Sequence, residues 1–273
     1  METINLLYVM IILFYCLSVL GYFIDFMQNS QKVNRAAFWL LSIVWVLQLV
    51  FLIIRYIQFD RLPIMTLFEG MFFYAWIIVT ISLVVNRLYR TDFLVFVINI
   101  IGFSVMAISM LTPAGDVSER LAELFIFELL VIHVVVLMLS YGVFTLGFAF
   151  SILYVLQHQM LKQKKWNNRM VRTGNLLTLL KGSYVCSLIG FPLMLIGLIL
   201  GLVYAWVSME AVPFTDMKVI SSFFVLLVYG VYLFYYKVKD MRGYQMALFH
   251  IGAFLILLIN YLLSSTFSQF HFW

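Results

Sequence analysis

LFIFELLVIHVVVLMLSYGVFTLGFAFSILYVLQHQMLKQKK, residues 124–165, contains no proline and stays apolar far past one bilayer thickness before it turns basic. A helix rises ~1.5 Å per residue and crosses a ~30 Å hydrocarbon core in about 20 residues. The run therefore predicts a helix that crosses a membrane and continues into water on its Lys-rich side. His133 lies near the opposite end, roughly 14 Å along the axis from Leu124. An ionisable residue at that depth is costly to bury, which makes it a functional candidate.

Working outward, the 273-residue chain is 65% hydrophobic and only 11% charged. A soluble domain of this size needs more polar surface, so the composition implies a polytopic membrane protein with almost no extramembrane domain. The expected fold is all-α: a single membrane domain, 1–273, of eight transmembrane helices. Hydropathy places the spans at 4–26, 37–59, 67–85, 93–111, 124–155, 185–207, 219–236 and 244–265. Pro63 stands where it can begin the third helix. The basic extension of the fifth span is expected to run on through 162–174, residues 175–184 to form a short interfacial helix, and Pro192 to kink the sixth span. The first apolar run lacks a basic leader and a small-residue cleavage site, so it reads as a retained helix.

Thirteen of the 17 Lys and Arg fall in links after odd-numbered spans. The positive-inside rule then puts both termini on the extracytoplasmic side. His133, the loop 208–216, the start of the third span and the tail with His271 are expected at that outer face. The net charge of +5 fits basic loops beside anionic lipid and implies no nucleic acid. Cys16 and Cys186 sit far apart in apolar runs without metal-ligand spacing and read as packed thiols. No nucleophile–base pair, phosphate-cradling loop, zinc motif or nucleotide fingerprint occurs, so no enzymatic activity is expected.

His133 and His271 are the candidate metal ligands. Two neutral imidazoles at matching depth suit the two faces of a porphyrin iron, and an apolar aromatic cleft suits the macrocycle. The alternative for His133 is a hydrogen bond to a neighbouring helix. His158 reads as interfacial, and His250 as bonded to a serine or carbonyl on an adjacent helix. Glu69 and Glu128 either accept protons, hold a basic partner such as Arg61, or reach water at the interface. Asp216 reads as an N-cap or a nearby anion. Trp206, Phe214 and the tail residues Phe270, Phe272 and Trp273 either wall a flat ligand or belong to an interfacial aromatic belt.

Several runs carry a family resemblance. PIMTLFEGMFFYAW (63–76), IHVVVLMLSY (132–141), GFPLMLIGLILGLVYA (190–205), then Asp216, Lys218, LVYGVYL (227–233) and His271 together resemble the cytochrome c assembly superfamily of haem-handling membrane proteins. The resemblance covers residue 63 to the end. It implies a haem b site with His133 and His271 as axial ligands, and a cofactor-binding set of His133, His271, Trp206, Asp216 and Glu69. Two departures stand out. The family's tryptophan-rich outer loop, roughly WGxxWxWDxxE, is replaced by SMEAVPFTDMK, which keeps only Asp216. Phe234 stands near the position of an intramembrane histidine in the synthases.

The combination resembles the HemX-type branch, found in Gram-positive bacteria. That resemblance implies a protein of the cytoplasmic membrane that limits glutamyl-tRNA reductase. It also implies a cytoplasmic or membrane partner in haem synthesis, reached through the basic inner link. The alternative it leaves open is a haem-delivery component of system II cytochrome c assembly.

Overall fold

The computed structural model describes residues 2–64, 66–88, 92–112, 128–164, 175–209 and 214–263. Among these, eight helices and no strand occur: α1 (Glu2–Gln28), α2 (Gln31–Phe59), α3 (Leu67–Leu88), α4 (Asp92–Ser109), α5 (Glu128–Lys162), α6 (Leu176–Met209), α7 (Met217–Lys237) and α8 (Tyr244–Leu263). Seven are long and apolar enough to cross a bilayer; the apolar part of α4, Phe93–Ser109, is shorter. Helices are the outcome expected where lipid offers the backbone no hydrogen-bond partners. The contacts group the helices into two compact units, α1–α4 and α5–α8.

Within the first unit, helices meet through small residues and buried polar pairs, the glue available when lipid removes the hydrophobic incentive to associate. Ser18 donates to the Ala37 carbonyl (2.9 Å), and Tyr15 to Asn99 Oδ1 (3.2 Å). Trp45 Nε1 donates to Thr80 (2.8 Å). Tyr8, Phe51, Phe68 and Phe72 form an aromatic cluster, with Phe51 and Phe72 centroids 4.4 Å apart. The start of α3 is a capping box: Glu69 N donates to Thr66 Oγ1 (3.1 Å), and Thr66 N to Glu69 Oε2 (3.3 Å).

The second unit is built on α5 lying antiparallel to α6. Three side chains of α5 bond to α6, the first two at equal seven-residue spacing on both helices. His133 Nδ1 bonds the Gly197 carbonyl (2.5 Å), Ser140 Oγ donates to the Gly190 carbonyl (2.8 Å), and the Ser151 and Ser183 hydroxyls pair (2.8 Å). α7 and α8 close the unit through aromatic stacks, Phe144 on Tyr229 (3.8 Å) and Phe148 on Phe254 (4.4 Å).

Two local expectations are corrected. Residues 176–184 are the first turns of α6 and not a separate interfacial helix. Lys181, Gly182 and Ser183 interrupt the hydropathy without breaking the helix, because Gly182 packs under the Phe150 ring and Ser183 bonds α5. The fifth helix stops at Lys162, and Lys164 adopts a left-handed conformation (φ 54°) instead of extending it. α6 continues through Pro192.

Candidate functional site

The first turns of α5 and α7 and the last turns of α6 line a narrow cleft of about 50 Å³. Leu130 and His133 line it from α5, Gly201 and Ala205 from α6, and Lys218 and Ser222 from α7. His133 is 7% exposed. A carbonyl oxygen only accepts, so the bond to Gly197 puts the proton on Nδ1 and leaves Nε2 as the lone-pair nitrogen. Nε2 makes no hydrogen bond among the described residues.

The ring fits because Gly201 has no side chain: a Cβ there would stand 2.8 Å from His133 Nδ1. A pinned neutral imidazole with its other nitrogen free is the arrangement seen at metal-ligating histidines. The lone-pair nitrogen and the mostly apolar lining beside it suit a metalloporphyrin in their chemistry.

α7 begins at Asp216, whose carboxylate accepts from Lys218 N (2.8 Å). Of the two sequence readings for Asp216, the N-cap is the one seen. Lys218 Nζ donates to the Asn260 carbonyl of α8 (3.3 Å). Asn260 is itself held by α7: Ser221 donates to its Oδ1 (2.6 Å), and its Nδ2 to Ser222 (3.3 Å). Trp206 is 64% exposed on α6 and does not line the cleft. Phe214 is 65% exposed. His271, Phe270, Phe272 and Trp273 lie outside the described residues, so the expected histidine pair is untested by the geometry.

Glu69 belongs to the first unit. It is 1% exposed and bridges Arg55 (2.9 Å) and Arg61 (2.9 Å), the second being the partner the sequence named. Both guanidinia lie over the Phe59 ring, at 4.5 and 5.3 Å.

His250 differs from expectation. It bonds neither serine nor carbonyl among the described residues: fully buried, its two ring nitrogens have no hydrogen-bond partner there, and it meets Tyr229 and Tyr232 edge-on. His158 is half-buried between Tyr154 and Tyr244. Sequence reasoning gave no cleft role to Gly197, Gly201 or Asn260. The intact glycine spacing of 190–205 was the available signal for the first two.

The chain belongs to the cytochrome c assembly protein family, whose model matches residues 64–271. Within it, protein HemX of Bacillus subtilis is 46% identical over 260 residues, covering 95% of this chain and 94% of its own length. Protein HemX of Brevibacillus brevis is 38% identical over the full length of both chains. Cytochrome c biogenesis protein CcsA of Prochlorococcus marinus is 27% identical over 261 residues, covering 87% of this chain and 82% of its own. By composition, fold and family, this is a multi-pass membrane protein of the HemX type.

Proposed function

We propose that the chain binds haem b in the α5–α6–α7 cleft, with His133 Nε2 as one axial ligand and His271 as the other. The observation that carries the reading is His133: its Nδ1 is tied to Gly197, its ring is seated against Gly201, and its Nε2 is unengaged beside an apolar cleft. Bound there, haem would supply an iron centre with imidazole ligation. The chain's own residues fix the tautomer and orientation of the ring and keep the surroundings apolar. No catalytic step is assigned.

In this reading the protein sits in the plasma membrane of a Gram-positive bacterium, as the Bacillus and Brevibacillus relatives suggest. The termini and the cleft face outward, consistent with the distribution of Lys and Arg. The basic link that begins at Lys162 faces the cytoplasm and meets a partner of the haem-synthesis pathway, through which the protein limits glutamyl-tRNA reductase. Haem delivery to cytochrome c is the second reading, favoured by the CcsA relatives. Phe234, 49% exposed and unable to ligate iron, weighs against it.

Purification in mild detergent with added haem tests the site. A low-spin spectrum is expected, and its persistence in the His133→Ala, His271→Ala double variant would reject the ligand assignment. Gene deletion separates the two functions. Raised reductase with intact c-type cytochromes supports regulation, and loss of covalent haem staining with normal reductase supports delivery.

A further inference from the structure

We propose that Lys218 is the seat of a carboxylate carried by the ligand, so that the cleft takes its metalloporphyrin through a propionate as well as through the metal. The inference rests on the haem reading of the cleft. Lys218 lines the same cavity as His133, on the second residue of α7. The one acidic residue beside it in sequence, Asp216, accepts from the backbone N–H of Lys218 itself. Among the described residues the ammonium has no ion pair.

An ammonium offers three donors, and the single bond from Nζ goes to a neutral carbonyl at 3.3 Å. That bond satisfies one of the last carbonyls of α8, which lack helical partners, but it brings no negative charge. The amino terminus of α7 adds partial positive charge to the same spot. Asp216 supplies a nearby negative charge but no ion pair, and an ammonium in an apolar membrane cleft gains further from an anion that meets its remaining donors. Asn260, clamped by Ser221 and Ser222, bonds the ammonium of Lys218 through its carbonyl. An anionic lipid headgroup shares the charge chemistry but gives nothing to the lone-pair nitrogen of His133. A porphyrin with free propionates answers both groups.

The test titrates ferric haem and its dimethyl ester into the purified full chain in phosphatidylcholine nanodiscs, following the Soret band. The two ligands share the macrocycle and the iron and differ in the carboxylates. The unmodified chain is expected to bind the diacid about tenfold more tightly, the scale of one charge-assisted hydrogen bond. Lys218→Gln should erase the preference by weakening the diacid alone, and Lys218→Arg should keep it. Equal affinities in the unmodified chain overturn the proposal, as does an intact preference in Lys218→Gln. The two-ligand comparison on the unmodified chain does not depend on how well a variant folds. Failure of the haem reading looks different and overturns both: neither ligand then gives a Soret band that His133→Ala abolishes. Competition by phosphatidylglycerol against the diacid, lost in Lys218→Gln, would assign the anion to lipid and overturn the carboxylate.

Discussion

The two units handle buried charge in opposite ways. In the first, the Glu69 carboxylate lies between two guanidinia and also closes the capping box of α3. Both carboxylate oxygens are answered within the chain, as a structural fastening requires, although Arg55 Nε has no hydrogen-bond partner among the described residues. In the second, His133 keeps a lone-pair nitrogen and Lys218 an ammonium with no ion pair among the described residues, both on one cleft. Internal satisfaction marks architecture, and its lack beside open space marks a place for a ligand.

The sharpest way to break this contrast is Glu69→Ala. It strands two arginines and the start of α3, and removing one partner of a buried pair costs about 3–5 kcal/mol. Unfolding in mixed micelles should show a loss of that size, while Glu69→Gln, which keeps a capping oxygen, should lose less. Abolished haem binding with unchanged stability would make Glu69 a ligand-site residue and dissolve the distinction.

Next in size is Gly201→Ala. Its methyl would press on a ring that Gly197 holds in place. Overpacking of this kind costs about 1–3 kcal/mol, and haem affinity should fall about tenfold or more. An unchanged Soret titration would remove His133 from the site.

Ser140→Ala deletes one bond between α5 and α6 in a place without cleft contact. Interhelical hydrogen bonds in membranes average about 0.6 kcal/mol, so a small stability loss with unaltered haem affinity is expected from the same two assays.

The smallest effect should come from His250→Leu. Both of its nitrogens lack partners among the described residues in a fully buried setting, and replacing an unsatisfied polar group with an apolar one is nearly neutral or stabilising. A loss above about 2 kcal/mol would show that the ring has a hidden partner and that the second unit holds a further polar site.

Much of the fold was legible because lipid leaves the backbone so few options: a long apolar run without proline becomes a helix. The error at 176–184 came from reading a Lys-Gly-Ser interruption as a boundary, whereas those residues are where α6 touches α5. His133 was legible because an imidazole is conspicuous in an apolar run. Arg61 was legible as a partner of Glu69, but Arg55 was counted only toward orientation. In the sequence, Lys218 figures only as part of the family pattern and as a loop charge, with no cleft role. Its place beside His133 depends on three helices converging, which no local pattern encodes. For His250 the general rule that buried polar groups find partners gave the wrong expectation.

The three bonds from α5 to α6 also have a mechanical meaning. Helices are stiff rods, and His133, Ser140 and Ser151 sit on one of them, each bonded to a residue of the other. Sliding one rod by a single residue, ~1.5 Å, would unlatch all three together. A displacement of the imidazole large enough to shift its rod would therefore register at the Ser151–Ser183 contact, roughly 27 Å down the axis, without any chain of intermediate signals.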